Sequence, residues 1–430
     1  MKVLIVSYYW PPSGGSGVQR WMYFAKHLAE NGIEPVIVTI HPENASYSTF
    51  DESLIKQVEH IKTHHTSGGF QILKFYSFLK SGSTKKQIPV GDFGDKKKSI
   101  FDKFSGFIRA NYFVPDARVG WNKKAIPLVE SIIRSEKIDF IITTGPPHST
   151  HLIGLEIKNK FNIKWLADFR DPWTEVYYNN LFKRTERADL KDKTLEISVL
   201  NKADIVLTVG PSMRKMLAEK LPGKENKVHS ILNGFDEEKL SLIKGKRYSE
   251  FTIAHIGIWT LQQAHQEIVE ALKQITSENI DWKIRFVLVG NIYPDIIQNL
   301  RNIPNLIVDY RGKVSHQEAL QEMMNADLLL NCLANIPNSK LLISGKLMEY
   351  LATGNNMIVI GDKQGDAAEL MRGNENSIMI SPKDTKELKN SIVNFYLKER
   401  TQALYNLNMN KYSRKATAKE LAELLKSKIN

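Results

Sequence analysis

The regular alternation of short apolar runs with amphipathic segments along the whole chain most constrains the fold. Such alternation is typical of stacked β–α–β units, whose strands run parallel in one sheet. Runs such as Phe286–Val289 are apolar at every position, as expected of strands buried on both faces. The predicted strands of the first half are Lys2–Ser7, Pro35–Ile40, Phe140–Thr144, Ile163–Asp168, Asp204–Val209 and Val228–Ile231. Those of the second half are Thr252–Gly257, Lys283–Gly290, Leu306–Asp309, Asp327–Cys332, Met357–Ile360 and Ser377–Ile380. The sequence therefore predicts an α/β fold.

The two halves of the chain open alike. Lys2–Tyr8 and Phe251–Gly257 each predict a strand that leads through a loop into a helix. We therefore expect two doubly wound, Rossmann-like domains that face each other across a cleft, with the ligand at the carboxyl ends of the strands. The predicted domains are residues 1–235 and 250–400, with a charged join around Asn233–Glu250. Residues 401–430, which contain the last helical segment, are predicted to pack back across the join.

The composition is that of a globular protein of 430 residues, with 42% hydrophobic and 25% charged residues. The single cysteine, Cys332, lies in an apolar run and is predicted to be a buried thiol in a reducing compartment. The apolar run Val3–Val6 is too short for a signal peptide, and no stretch is long enough to cross a membrane. We therefore expect a cytoplasmic protein.

The net charge of +12 is concentrated in one segment. Residues 70–125 carry twelve Lys or Arg against four Asp, a net charge of +8, interleaved with Phe and Tyr. Phe101, Phe104 and Ile108 recur at helical spacing beside Lys103 and Arg109, as in a short helix at a membrane interface. Such a segment suits an anionic surface, and the alternative is a solvated insertion without a partner. We predict attachment to an anionic membrane and expect no nucleic-acid partner.

The stretch Ser344–Gly354 predicts a turn, a helix and a glycine stop. Lys346 and Glu349 are three positions apart and therefore share one face near the helix start. Backbone N–H groups at a helix start, together with a lysine, suit a diphosphate, and a carboxylate suits two ribose hydroxyls. The spacing alone fits a surface helix with an ion pair equally well. As a ligand site, Gly345, Lys346 and Glu349 would bind a nucleotide-sugar.

A glycine-rich loop, Pro11–Gly17, follows the first strand and opens a helix. It begins like a dinucleotide-binding fingerprint, but Arg20 stands where the third glycine would be. No acidic residue closes the second strand either, which argues against a nicotinamide enzyme. Glycines before a helix still let backbone N–H groups approach an anion. Gly14, Gly15 and Arg20 are therefore candidates for an acceptor or phosphate loop, with a simple tight turn as the alternative.

Two further strand ends carry candidate catalytic residues. His148 lies in the loop Thr143–Thr150, where it could orient a hydroxyl, transfer a proton or simply begin a helix. Asp168, Arg170 and Asp171 place three charges within four positions at the end of a predicted strand. Charges at the end of a buried strand are costly unless they are paired or used. We favour a catalytic role over mutual neutralisation.

The chain carries neither a pair of cysteines nor an Asp-x-Asp motif. Neither a structural zinc site nor a metal-bridged diphosphate is therefore expected. We expect no cofactor, because a nucleotide-sugar would be a substrate.

These motifs together resemble the glycosyltransferases of the GT-B fold, specifically the family 4 type that acts on bacterial surface polysaccharides. The resemblance extends nearly end to end, through Tyr9–Pro12 with Gly14, Gly15 and Arg20, Pro146–Pro147, Asp168–Trp173, Asn233–Asp236 and Gly345–Ala352. It implies that the N-terminal domain binds the acceptor and the C-terminal domain binds the nucleotide-sugar. It also implies transfer with retention of anomeric configuration and without a metal.

Carried over to this chain, the resemblance assigns the donor ribose to Glu349 and the diphosphate to Lys346. The residues that it places beside the nucleotide are Gly257, Arg311, Gly312, Lys313 and Val314. Two positions depart from the family pattern. Leu341 stands where a second glutamate is common, and Gln262–Gln263 stand where a basic residue often grips the phosphate. The second departure leaves Lys346 more of the diphosphate charge.

We therefore predict a retaining, metal-independent glycosyltransferase of cell-surface polysaccharide biosynthesis at the inner face of the cell membrane. It would move a sugar from a nucleotide-sugar donor to a glycan or lipid-linked acceptor. Lys346 and helix dipoles would stabilise the departing diphosphate. The candidate catalytic residues are His148, Asp168, Arg170 and Asp171, and Asp168, Asp171 or His148 would orient the acceptor hydroxyl. Two alternatives stay open: a sugar-nucleotide 2-epimerase of the same architecture, and an inactive scaffold of this fold that only binds a partner.

Overall fold

The computed structural model describes residues 1–47, 49–68, 100–177 and 184–429. The chain divides into two compact units, Met1–Leu232 with Thr417–Asn430, and Asn233–Ala416. Each unit contains one parallel β-sheet, and the strands of that sheet alternate with helices along the chain. The predicted α/β fold with two Rossmann-like sheets is therefore confirmed.

The first unit has a seven-stranded sheet among its described residues. Its strands are β1 (Lys2–Val6), β2 (Glu34–Ile40), β3 (Thr63–Thr66), β4 (Phe140–Gly145), β5 (Lys164–Phe169), β6 (Ile205–Thr208) and β7 (Val228–Ser230). They lie in the order β3-β2-β1-β4-β5-β6-β7. Its helices are α1 (Ser16–Glu30), α2 (Ile100–Tyr112), α3 (Asn122–Ser135), α4 (Ser149–Lys160), α5 (Glu186–Lys202) and α6 (Pro211–Glu219).

The second unit has a six-stranded sheet. Its strands are β8 (Phe251–Trp259), β9 (Ile284–Ile292), β10 (Leu306–Tyr310), β11 (Leu328–Cys332), β12 (Asn356–Ile360) and β13 (Ser377–Ile380), in the order β10-β9-β8-β11-β12-β13. Its helices are α7 (Glu237–Ser241), α8 (Gln266–Glu278), α9 (Pro294–Arg301), α10 (His316–Asn325), α11 (Gly345–Thr353), α12 (Asp366–Met371) and α13 (Thr385–Leu397). The last helix, α14 (Arg414–Lys426), begins in the second unit and ends in the first.

The strands form where the sequence has buried apolar runs, and the buried side chains of β1, β4, β5 and β6 lie in one core with those of α1. The apolar residues of α14 that lie in this first core are Ala418, Leu421, Ala422 and Leu425. A strand that the sequence analysis did not predict is β3, with the sequence Thr-His-His-Thr. Among the described residues it lies at the edge of the sheet and pairs with β2 alone. An edge strand needs no continuous apolar run, so its sequence carries no hydrophobic signal.

The helix predicted around Phe104 and Ile108 is present as α2. The rest of the basic segment, residues 70–99, lies outside the described residues. Within the described ranges, no helix combines the length and the apolar character needed to cross a bilayer.

Candidate active site

Hydrogen bonds of Ser344 fix the start of α11. The Ser344 hydroxyl accepts a hydrogen bond from the Leu347 N–H at 3.1 Å and one from the Asn331 amide at 2.8 Å. The helix ends at Gly354, whose φ of 67° requires the left-handed conformation predicted for a glycine stop. Gly345 at the helix start is exposed, and no atom lies within 4 Å of the position that a Cβ would take. The helix start is therefore open on the side of Gly345.

Glu349 is a buried carboxylate that is held between two cationic or polar side chains. Lys346 donates to its Oε2 at 3.0 Å, and the His316 Nε2 lies 2.8 Å from its Oε1. Burial raises the pKa of Glu349, but Lys346 and His316 outweigh that effect and lower the pKa to about 2. The carboxylate is therefore ionised at neutral pH and acts only as an acceptor of hydrogen bonds.

Two glycines bring the backbones of β8 and β9 together beneath Lys346. Gly257 and Gly290 are partners in the sheet, with φ values of 143° and 112°. A Cβ on Gly290 would lie 2.0 Å from the Gly257 carbonyl oxygen, so no larger residue fits there. The Lys346 Cγ lies 3.9 Å from the Cβ position of Gly257. The structure therefore brings together three predicted donor-site residues, Gly257, Lys346 and Glu349.

In the predicted loop 311–314, the Arg311 side chain is bound to neighbouring residues. The other three residues are exposed or half-buried. Arg311 bonds to Asp309 at 2.9 Å, to Glu322 at 2.7 Å and to the Tyr248 hydroxyl at 2.7 Å, and its bond to Asp309 raises its pKa. Its guanidinium therefore serves contacts within the unit. Gly312 has a φ of 65°, and its carbonyl accepts from the Gly290 N–H at 2.7 Å. The other two residues are the exposed Lys313 and the half-buried Val314.

Gln262 and Gln263, which stand where the family often has a basic residue, lie in the loop after β8. The Gln263 side-chain oxygen accepts from the Thr260 N–H at 2.7 Å, and its amide donates to the Cys332 carbonyl at 2.5 Å. Gln263 thus ties the loop to the end of β11 and is used inside the unit. Leu341, at the other departure from the family pattern, is half-buried and is the last residue of the short turn Ser339–Leu341.

In the first unit, Arg20 and Asp168 form a buried ion pair. The Arg20 Nε and Nη2 donate to one oxygen of Asp168 at 3.1 and 3.0 Å. The other oxygen accepts from the Trp21 indole at 2.6 Å and the Thr144 hydroxyl at 2.8 Å. Arg20 also donates to the Ile231 carbonyl at 2.9 Å. Asp168 is thus neutralised by Arg20, and the pair joins α1 to the ends of β4 and β5.

Arg170 links the start of α1 to the end of β4 at the carboxyl edge of the first sheet. Its guanidinium donates to the carbonyls of Gly17, Gly145 and Pro146. A Cβ on Gly17 would lie 2.6 Å from the Arg170 Nη1, so a larger residue there would make the guanidinium shift. Burial lowers the pKa of Arg170, which the nearby Asp168 and Asp171 partly offset. The side chain therefore fixes the glycine loop against the loop that carries His148.

The glycines of the first loop have separate surroundings. The Gly14 N–H donates to the Thr49 carbonyl at 3.0 Å, and a Cβ on Gly14 would lie 3.2 Å from the Thr49 hydroxyl. Gly15 is exposed, and its φ of 94° sets the turn into α1. The structure places Gly14 and Gly15 directly before α1, whose first turn contains Gly17, and Arg170 donates to the Gly17 carbonyl.

His148 is buried at the start of α4. Its ring lies parallel to that of Trp173, with centroids 5.1 Å apart and an interplanar angle of 11°. Neither ring nitrogen has a hydrogen-bond partner among the described residues. Burial, with His151 and Arg170 nearby, holds the pKa of His148 well below its usual range. The imidazole is therefore neutral at pH 7 and keeps one donor and one acceptor.

Asp171 is half-buried next to the Arg170 that links the loops. Burial raises its pKa, and Arg170 lowers it in part. Across the described ranges, no hydrogen-bond donor reaches its carboxylate. The indole N–H of Trp173, two positions further on, donates to Asp192 of α5 at 2.7 Å. This bond anchors the segment that presents Asp171.

Solved structures resemble the whole chain at low sequence identity. The apo form of the lipopolysaccharide outer core galactosyltransferase WaaB covers 100% of this chain and 100% of its own, with a TM-score of 0.60 and 12% identity. The match to TarM covers 100% of this chain and 96% of TarM, with a TM-score of 0.57 and 11% identity. A putative UDP-N-acetylglucosamine 2-epimerase from Listeria monocytogenes covers 99% and 96%, with a TM-score of 0.54 and 10% identity. These similarities establish the fold.

Family models separate the activities that share this fold. The model of glycosyl transferases group 1 matches residues 250–397, and the model of glycosyltransferase family 4 matches residues 96–239. The chain is a GT-B glycosyltransferase of the family 4 type. No curated protein matches its sequence.

The glycosyltransferase places a further side chain, His316, in direct contact with the predicted donor residues. His316 was not among the sequence candidates, because its contact with Glu349 spans 33 positions. A local signal for its placement does exist. Ser315 and Glu318 form a capping box that starts α10, and the structure shows both of its hydrogen bonds. That pattern predicts a helix start at His316, just after the loop that follows β10.

The described part of the glycosyltransferase contains no group of three or more His, Cys, Asp or Glu side chains arranged to hold a metal ion. Lys346 and the start of α11 supply the positive charge beside Glu349. Cys332 is buried, and burial raises the pKa of its thiol, so it is not a thiolate at neutral pH.

Proposed function

We propose that this glycosyltransferase moves a sugar from a nucleotide-sugar donor to a glycan or lipid-linked acceptor in the assembly of cell-surface polysaccharide, on the cytoplasmic side of the membrane. The observation that carries this proposal is the contact of Lys346 with the buried, ionised Glu349 beside Gly257. The function in the name of WaaB, an outer core galactosyltransferase, supports a surface-polysaccharide acceptor.

The donor would lie at the start of α11. Glu349 would accept hydrogen bonds from the hydroxyls of the nucleotide ribose, because its carboxylate stays ionised and buried. Lys346 and the backbone N–H groups after Gly345 would neutralise the diphosphate as it leaves. Gln263 supplies no charge there, because its amide is neutral. Lys346 therefore carries the main electrostatic contribution.

The acceptor hydroxyl would be oriented by residues of the first unit. Asp171 is a half-buried carboxylate, and the neutral His148, whose ring nitrogens have no partner among the described residues, can donate one bond and accept one. We assign these two residues to the hydroxyl. Asp168 and Arg20 neutralise each other, and Arg170 is bound to carbonyls, so all three act by positioning the loops. The family resemblance supports retention of anomeric configuration, which NMR of the product reports.

A screen of nucleotide-sugars by thermal shift tests the proposed function. A ligand that binds only the folded state stabilises it by an amount set by its concentration relative to the dissociation constant, about 2.7 kcal/mol at one hundred times that constant. We expect one class of nucleotide-sugar to raise the Tm. Without an acceptor, the protein should not convert that nucleotide-sugar to another compound. Conversion to its 2-epimer without an acceptor would identify an epimerase, and no shift with any member would remove the donor site.

Activity is expected to survive chelation. The proposed site neutralises the leaving diphosphate with Lys346 and the start of α11, which replace the usual role of a divalent cation. Transfer measured in EDTA should match transfer in Mg²⁺ within about twofold, an effect of less than about 0.5 kcal/mol. A loss on chelation that Mg²⁺ or Mn²⁺ restores would show that a metal takes part.

The proposed membrane attachment involves α2 and α5, which contact each other. The Thr185 N–H before α5 donates to the Asn111 side chain of α2 at 2.6 Å. Large apolar side chains of the two helices are exposed: Phe107 by 39%, Tyr112 by 74% and Leu190 by 68%. The sequence of residues 70–125 has a net charge of +8, and exposed apolar side chains combined with cationic ones suit anionic lipid.

Co-sedimentation with anionic vesicles tests this surface. The wild type should bind at low salt and lose binding at high salt, because each Lys or Arg near the leaflet contributes about 1 kcal/mol and is screened over about 8–10 Å. Leu190→Glu should weaken binding, as should conversion of Lys96, Lys97 and Lys98 to Glu. Leu397→Glu is the matched control, since Leu397 is 69% exposed in the second unit. A wild type that stays in the supernatant at low salt would exclude membrane attachment.

A further inference from the structure

His316 contacts Glu349 of the donor region, and the two residues lie on different helices. It is the first residue of α10, and Glu349 lies on α11, which packs against α10. The capping box of Ser315 and Glu318 fixes the backbone at His316, with bonds of 3.2 and 2.8 Å. The imidazole Nε2 then reaches the Glu349 Oε1 at 2.8 Å. A rigid helix start thus determines where this ring lies.

The two partners of Glu349 divide its oxygens between them. His316 takes Oε1 and Lys346 takes Oε2, and no other side chain in the described ranges bonds to the carboxylate. An ionised carboxylate offers about four acceptor positions, so each oxygen keeps one open. A carboxylate held by a single lysine could rotate about its last bond, whereas two partners from two helices fix its plane. Its open positions then have a constant direction.

We propose that His316 is a positioning residue of the donor site, which holds the Glu349 carboxylate in the plane that accepts two adjacent hydroxyls of the nucleotide ribose. This inference rests on the proposed function. Lys346 is shared between Glu349 and the diphosphate, so it is a weak anchor when the donor is bound. His316 stays in place and keeps the carboxylate oriented.

The neighbouring charged groups are engaged elsewhere. Glu318 on α10 is bound to Ser315, and Arg311 before α10 is bound to Asp309 and Glu322. None of them replaces the Nε2 hydrogen bond when His316 is changed. Removal of the imidazole therefore leaves Glu349 with Lys346 alone.

Calorimetric titration with nucleoside diphosphates tests the role of His316. The probes are UDP, ADP and GDP, and then the 2′-deoxy form of whichever binds. His316→Phe removes the donor and keeps a ring of similar size. His316→Gln keeps an N–H donor at similar reach, and Gln317→Ala changes the exposed neighbour as a control. The Tm of each variant shows whether the fold is retained.

We expect His316→Phe to weaken binding of the ribonucleotide about tenfold, as for a lost hydrogen bond to a charged group. The same change should affect the 2′-deoxy nucleotide by less than about twofold, because the oriented carboxylate then has one hydroxyl fewer to hold. His316→Gln should retain most of the affinity. A phenylalanine variant that binds the ribonucleotide like the wild type would overturn the assignment, as would an equal loss for both nucleotides. Absence of binding to the wild type would instead overturn the proposed donor site itself.

Discussion

Replacement of Glu349 by alanine lowers kcat/KM for the nucleotide-sugar donor by about one to two orders of magnitude. The carboxylate would form charge-assisted hydrogen bonds with the ribose, and such bonds contribute about 1.5–3 kcal/mol each. Its loss also frees Lys346 and His316, which it now holds at 3.0 and 2.8 Å. The measurement is steady-state kinetics with saturating acceptor, on a variant whose Tm shows that it is folded.

The matched control removes a partly exposed carboxylate of the same unit. Glu387 bonds to Lys363 at 2.7 Å at the surface, and an exposed pair of this kind contributes about 0–1 kcal/mol. Glu387→Ala should leave kcat/KM unchanged. Glu349→Gln separates charge from shape, because it keeps the size of the side chain and loses its negative charge. A folded Glu349→Ala protein with wild-type kcat/KM would contradict the donor assignment.

Removal of one member of the Arg20–Asp168 pair destabilises the first unit strongly. Both side chains are buried. Removal of either one would leave the other as an uncompensated charge inside the protein. Breaking a buried ion pair in this way costs about 3–5 kcal/mol. We expect Arg20→Met to lower the free energy of unfolding by that amount, measured by denaturant titration.

A double-mutant cycle shows whether the effect belongs to the pair. Asp168→Asn keeps the size of the side chain and can still accept from Trp21 and Thr144. The double variant, Arg20→Met with Asp168→Asn, should lose less stability than the sum of the single variants, because no unpaired charge remains. Additive losses, or a loss no larger than that of Glu387→Ala, would show that the pair does not hold this loop region.

The sequence was sufficient for most of the fold. Buried parallel strands such as β1 and β9 carry continuous apolar runs, so their pattern identifies them without the structure. The strand β3 was missed, because a four-residue edge strand of Thr and His has no apolar pattern. The helix α11 was predicted with its glycine stop, because Ser344 and Gly354 provide local signals at both ends.

The site could be predicted only where its contacts are local. Lys346 and Glu349 are three positions apart, so helical geometry alone places them together. The partner of Asp168 could not be found in this way. The charges at 168, 170 and 171 suggested mutual neutralisation as the alternative, but Asp168 bonds to Arg20, which lies 148 positions away. His316 and Glu349 likewise meet through the packing of two helices, which a single sequence does not specify.

The most direct test of the account is a crystal structure with the nucleotide-sugar that gives the largest thermal shift. We expect density for the ribose hydroxyls within hydrogen-bond distance of Glu349, about 2.6–3.0 Å. The diphosphate should lie against Lys346 and the backbone after Gly345, with Gly257 beneath it. Density for the nucleotide in the first unit, or in the second unit away from α11, would contradict the central claim that this helix forms the donor site.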